Sequence, residues 1–161
     1  MIIMVIRKIQ QEDIPQVLEV FRRVWEDTYP DLEQGISLED VREKTSHFTS
    51  MSIAPGMFVA VIEDQIVGIA VGKKGTPNHI KSMYVTRRSI GVGSALMNAL
   101  KEYFNEGAVV LTVASYNKSA IEFYRNHGFI ETNNGTQSAM SSLPNGKIIP
   151  EIEMSCILES Q

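Results

Sequence analysis

Between two amphipathic segments lies a continuous apolar run, Ala108 to Val113. A strand without polar alternation reads as buried on both faces, the pattern of a parallel neighbour in a sheet covered by helices. The segment before it, Gly91 to Tyr103, places Val92, Ala95, Leu96, Ala99, Leu100 and Tyr103 on one face. Gly107 then stands as its C-cap. The segment after it, Asn117 to Asn126, carries Ala120, Ile121, Phe123 and Tyr124 in a helical pattern, with Gly128 as its stop. Strands alternating with helices in this way demand an α/β arrangement.

The flanks extend that arrangement. Ile2 to Ile9 is rich in β-branched residues and predicts a strand. Gln11-Glu12-Asp13 opens a helix carrying Ile14, Val17, Leu18, Phe21, Val24 and Trp25 at helical spacing, and Tyr29-Pro30 ends it. Ser37 with Asp40 three residues on is a near capping box, starting a second helix to about Phe48. Met57 to Ile62 and Ile66 to Gly72 form a hairpin, Gly75 to Asn78 a loop that carries on to His79, and Ile80 to Val85 a third short strand. Phe129 to Glu131 begins another strand. Thr132 to Pro144, with Asn133-Asn134-Gly135, reads as loop, and Ile148 to Leu158 as the last strand. The order is β-α-α-β-β-β-α-β-α-β-β. At 161 residues, with no linker or repeat, one domain spans 1–161.

Several function classes drop out. The net charge is −4 and no basic stripe occurs, so nucleic acid is not an expected partner. A single cysteine, Cys156, makes neither an intramolecular disulfide nor a cysteine zinc site, and no metal is expected. Its neighbours Ile152, Met154 and Ile157 suggest a buried, inert thiol. Met1 to Ile6 is too short for a membrane helix or signal peptide, which predicts a cytoplasmic protein without a membrane partner.

The chemistry concentrates at Arg88-Ser89-Ile90-Gly91-Val92-Gly93-Ser94, between a strand and a helix. Two glycines one residue apart permit a tight turn and close approach of a ligand. Unpaired amides at the helix start, with the helix dipole, suit a pyrophosphate. The same glycines also fit a plain strand-to-helix turn. Neither a P-loop nor a dinucleotide-binding fingerprint matches, and the kinase motifs do not occur.

A second constellation follows at Asn117…Ala120-Ile121…Phe123-Tyr124…Gly128-Phe129. With Met83-Tyr84-Val85 and Arg88-x-x-Gly91-x-Gly93, the stretch from Ile80 to Phe129 resembles the GCN5-related N-acetyltransferase (GNAT) superfamily. The resemblance implies a mixed, mostly antiparallel sheet with splayed central strands flanked by helices, and acetyl-CoA in the gap. The backbone of Met83, Tyr84 and Val85 would pair with the pantetheine arm. The amides from Arg88 through Ser89, Ile90, Gly91, Val92 and Gly93 to Ser94 would hold the pyrophosphate, and Asn117 would bond the pantetheine. Tyr124 would protonate the departing sulfur, and an amide near Val85 would polarise the thioester. On periodicity alone Tyr124 reads as a core aromatic. Family members are often dimers, which extends that expectation to this chain.

The resemblance also implies direct attack by a primary amine, from a small amine or polyamine or from a protein N-terminus. A lysine-like amine is only ~0.1% neutral near pH 7.4, whereas an α-amine is roughly a quarter neutral. No carboxylate lies between Gln65 and Glu102, so the usual strand glutamate is missing. Trp25, Glu26 and Tyr29, at the end of the first helix, are the expected acceptor side, with His79 as a candidate base. A non-catalytic acyl-CoA-binding module is the alternative reading.

Overall fold

A computed structural model describes residues 1–132 and 141–160, so the Asn133-Asn134-Gly135 turn lies outside it. The elements run β1 (Met4–Lys8), α1 (Ile14–Thr28), α2 (Leu38–Thr45), β2 (Met57–Ile62), β3 (Gln65–Lys73), β4 (Asn78–Val85), α3 (Val92–Phe104), β5 (Gly107–Ala114), α4 (Lys118–Asn126), β6 (Ile130–Thr132) and β7 (Glu151–Leu158). A 3-10 turn, Gln11–Asp13, leads into α1. Local signals account for the boundaries. Pro15 sits in the first turn of α1, where its missing N–H costs nothing. The Ser37–Asp40 capping box forms, with Asp40 N–H donating to Ser37 Oγ at 3.1 Å and Ser37 N–H to Asp40 Oδ2 at 2.8 Å.

One sheet orders its strands β1-β2-β3-β4-β5-β7-β6. Every neighbouring pair is antiparallel except β4 with β5. On one face, α3 packs Leu96, Met97, Leu100 and Phe104 onto Ala60, Ala70, Ile80, Val109, Leu111 and Met154. On the other, α1 packs Val17, Val20 and Phe21 onto Val59, Ile66 and Ile69. A third cluster, Trp25, Ile36, Val41, Ala114, Leu143 and Ile149, ties α1 and α2 to the segment before β7. Fully burying one such side chain contributes roughly 1.5–3 kcal/mol.

The parallel pair decides where a site forms. Only Asn78↔Val109 and His79↔Val110 are in register, although β4 continues to Val85 and β5 to Ala114. The strands part beyond that point. Buried Asn78 pins the closed end, its Nδ2 donating to the Glu106 and Ala108 carbonyls at 3.0 and 3.1 Å. The splay was expected, but so was burial of β5 on both faces, and that expectation holds for one face only. Val109, Leu111 and Val113 are buried, whereas Val110 and Thr112 are only half-buried because the gap opens beside them. His79 belongs to β4 rather than to a loop, since it pairs with both Lys73 and Val110. Helix α2 stops at Thr45, short of Phe48, and β7 starts at Glu151 rather than Ile148.

Candidate active site

The parted strands enclose a cleft of about 680 Å³ between the two helical layers. Its backbone wall follows from ladder geometry. Thr86 N–H donates to the Val67 carbonyl at 2.9 Å, and Gly68 faces Val85. Alternation along an antiparallel ladder puts Tyr84 in a hydrogen-bonded row with Ile69, and Met83 and Val85 in the non-bonded rows. The N–H and C=O groups of Met83 and Val85 therefore point away from β3, into the gap. Tyr84 differs: its backbone bonds to β3. Its phenol lies on the α1 side, where Trp25 Nε1–H donates to it at 3.1 Å.

At the open end, Arg87, Arg88, Ser89, Gly91, Val92, Gly93 and Ser94 line the cleft. Ile90 does not; it is exposed. Gly91 is the N-cap of α3 and has φ +82°, a conformation that disfavours any side chain. The amides of the first turn of α3 lie beyond it without helical partners. Gly93 is small for a different reason. A Cβ there would stand 3.0 Å from Phe123 Cε1, so its close approach is to α4. Arg88 reaches across the cleft to Ser119 Oγ at 3.3 Å. Asn117 caps α4, accepting from Ala120 N–H at 3.3 Å, and its Nδ2 has no partner among the described residues. Ser94 Oγ lies 3.2 Å from His127 Nε2, and burial and then Lys101 push His127 below the usual imidazole range.

Tyr124 lies on the inner face of α4, buried against Phe123 and Phe129, and lines the cleft. Burial, and secondarily Tyr84, push its phenol well above the usual tyrosine range, so it stays protonated through neutral and mildly alkaline pH. Trp25 and Tyr29, stacked edge-on with centroids 4.6 Å apart, form the opposite wall with Tyr84. His79 lines the closed end. Burial first, then Lys81 and Lys73, hold it below its ordinary value, which favours the neutral ring. Glu26 lies outside the cleft; it is on the α1 face toward α2, where Arg42 Nε pairs with it at 3.4 Å.

The sequence reading missed two carboxylates. Glu151 and Glu153, two residues apart on β7, share one face with Thr112 of β5 and line the cleft. Thr112 Oγ1 donates to Glu151 Oε2 at 3.3 Å, while Glu151 Oε1 is buried with no partner among the described residues. Glu153 accepts from Thr132 Oγ1. The signal was present as Glu-Ile-Glu-Met, acids alternating with apolar residues on a strand. Its acidic face was legible, but not which cleft that face borders.

A sequence profile of the acetyltransferase (GNAT) family matches residues 14–129, which include both walls of the cleft up to α4. The chain belongs to the GNAT acetyltransferase family. A relative, an uncharacterised N-acetyltransferase of Methanocaldococcus jannaschii, is 31% identical over 135 residues, covering 78% of each chain. Two solved structures share the fold. One is apo YjaB of Escherichia coli, with TM-score 0.71, 23% identity, and 98% and 99% of the two chains covered. The other is the PaiA N-acetyltransferase of Thermoplasma acidophilum in complex with coenzyme A, with TM-score 0.65, 17% identity, and 96% and 99% covered. As a GNAT member the protein is an acetyl-CoA-dependent N-acetyltransferase, which favours the enzyme over the binding-module alternative. Among the described residues, no cluster of metal-ligating side chains occurs and no helix is long and apolar enough to cross a membrane.

Proposed function

We propose that this acetyltransferase moves the acetyl group of acetyl-CoA to a primary amine, of a small molecule or a peptide, by direct attack. The observation that carries this reading is the pairing of wall chemistries across one gap. On one side are outward-facing backbone groups of Met83 and Val85 and a helix N-terminus; on the other, an aromatic and acidic wall. The donor fits the first wall. An extended pantetheine arm can bond the free edge of β4 as an added strand. Two phosphates suit the amides from Gly91 to Ser94, flanked by Arg87 and Arg88. The Asn117 Nδ2 donors suit a pantetheine carbonyl.

Each chain group then has a task. The Val85 N–H bonds the thioester oxygen as charge develops on it. The Tyr124 phenol, kept protonated by burial, gives its proton to the departing sulfur. Trp25, Tyr29 and Tyr84 flank the incoming amine. No covalent enzyme intermediate is needed. Among the described residues Cys156 is outside the cleft lining, and Ser94 pairs with His127 beside the pyrophosphate site, away from the acetyl end.

The test is release of free thiol from acetyl-CoA, followed with and without a panel of amines that includes polyamines, aminoglycosides and peptides with a free α-amine. Amine-dependent release, with the acetylated amine identified by mass, is expected. Binding of acetyl-CoA with no release across the panel would leave only the binding-module reading.

A further inference from the structure

We propose that Glu151 receives the proton of the acceptor ammonium, and that the cleft thereby takes an alkyl amine, protonated at neutral pH, rather than an α-amine. The inference rests on the acetyl-transfer reading above and deepens it. Three observations carry it: the isolation of this carboxylate, its fixed aim, and its surroundings.

Several partly buried carboxylates in this fold have a cation. Asp13 pairs with Arg7 at 2.7 Å, Asp40 with Lys147 at 2.8 Å, and Glu26 with Arg42. Glu151 has no ion pair among the described residues, and its Oε1 is shielded from water without a hydrogen-bond donor. A carboxylate held this way is costly unless a cation arrives. The Thr112 hydroxyl holds Oε2, so Oε1 keeps a fixed direction. Glu151 also sits opposite Ala114 at the open end of the gap, not at the pinned end. Its field reaches the Tyr29 and Tyr84 phenols and helps to raise both above their ordinary values. With Trp25, those rings form a wall that attracts an ammonium.

The proton balance closes with these groups. An ammonium R–NH3⁺ gives one proton to Glu151, freeing the nitrogen electron pair. That pair forms the C–N bond, and the C–S bond breaks. The sulfur takes the Tyr124 phenolic proton, and the nitrogen's second proton restores the phenol, directly or through solvent. Glu151 releases its own proton to water. The sum is an amide, a thiol and one H⁺. An α-amine, already partly neutral at pH 7, gains little from this carboxylate, whereas an alkyl amine near pKa 10.4 depends on it.

The experiment compares wild type, Glu151→Gln and Glu151→Asp in thiol release between pH 6.5 and 10. The acceptors are 1,4-diaminobutane and a peptide with a free α-amine; acetyl-CoA binding is measured in parallel. Gln still accepts from Thr112, and so preserves the local contact. With diaminobutane, kcat/KM of Glu151→Gln is expected about 100-fold below wild type at pH 7. That deficit should shrink as the pH approaches the pKa of the amine. The Asp variant should keep the wild-type pH profile at a reduced rate, and acetyl-CoA affinity should be unchanged in both. A deficit that is the same at every pH, or none, overturns the role of Glu151. Turnover of the peptide but not the diamine overturns the substrate class. Acetyl-CoA binding with no release from wild type and either acceptor overturns the acetyl-transfer reading itself, and the proposal with it.

Discussion

The two walls of the cleft are built differently. The wall proposed to hold the donor is made of short contiguous stretches, Met83 to Val85, Arg87 to Ser94 and Asn117 to Tyr124, and its proposed working groups are largely backbone. The wall proposed to face the acceptor gathers Trp25 of α1 and Tyr29 at its C-cap, Tyr84 from β4, Thr112 from β5, and Glu151 and Glu153 from β7. Its working groups are side chains from four elements. Backbone groups at a strand edge and a helix start can be read from a motif, because glycine spacing and helix onset are local. A side-chain wall is set by sheet order, and the position of β7 between β5 and β6 is not written in any local pattern.

Four perturbations sharpen or break this contrast. The largest effect falls where the walls meet. Tyr124→Phe removes the proposed proton donor but keeps the ring that packs on Phe129, so kcat is expected to fall by ~10²–10⁴ with little change in Tm or acetyl-CoA affinity. Stopped assays of thiol release and a melting curve check both halves. A fall in Tm matching the loss of rate would mean that Tyr124 is only a core aromatic.

Next comes the donor wall. Gly93→Val forces a branched side chain against Phe123, where even a Cβ would stand 3.0 Å from the ring. Overpacking of this kind costs about 1–3 kcal/mol, which is roughly 2–12 °C in Tm for a chain of this size. Because α3 and α4 separate, calorimetry should also show acetyl-CoA binding weakened about tenfold, while the amine KM changes less. Equal weakening of both substrates would erase the distinction between the walls.

On the acceptor wall, Trp25→Phe keeps an aromatic ring and removes the Nε1–H that donates to Tyr84. Loss of one such bond is about 1 kcal/mol. The amine KM should rise about fivefold with acetyl-CoA binding unchanged, as initial rates at saturating donor would show.

The smallest effect concerns how the acceptor wall is held. Asp40 of α2 accepts from Asn145 Nδ2 at 2.6 Å and from Lys147 Nζ at 2.8 Å, tying α2 to the segment before β7. Lys147 first, and then the Ser37 N–H of the capping box, hold its carboxyl down at about 2. A carboxyl depressed in the folded state adds stability above its unfolded value and loses it as pH falls toward the folded one. This tie should therefore weaken between about pH 4 and pH 2. Asp40→Asn should lower the neutral urea midpoint slightly and flatten that part of the profile, so that the two proteins converge near pH 2. An identical acid limb in both proteins would show that the tie does not contribute.

The same contrast governs what the sequence revealed. The element order was legible throughout, because hydrophobic period and caps such as Ser37–Asp40 act locally. The Arg88–Gly93 and Asn117–Phe129 motifs gave the family, and residues of both line the cleft on the side proposed for the donor. Gly93 is small because of Phe123, a contact between helices that spacing alone does not reveal. Glu26 suggested a contact to a cationic amine because it is an acid at the end of the first helix, yet one residue along from Trp25 turns it by about 100° onto another face, toward Arg42. His79 was read as loop because Pro77 and Asn78 precede it; its pairing partners, Lys73 and Val110, only appear once the sheet is assembled. Glu151 was passed over for the same non-local reason.

Residue-resolved amide hydrogen exchange, with acetyl-CoA and then with a saturating amine, tests the division of the cleft most directly. Acetyl-CoA alone should slow the Met83 and Val85 amides, which face the open gap, and the amides from Gly91 to Ser94, while Tyr84, bonded to β3, changes little. The amine should then slow exchange around Trp25 to Tyr29. Protection by acetyl-CoA at Tyr84 but not at Met83 and Val85, or none between Gly91 and Ser94, would contradict the account.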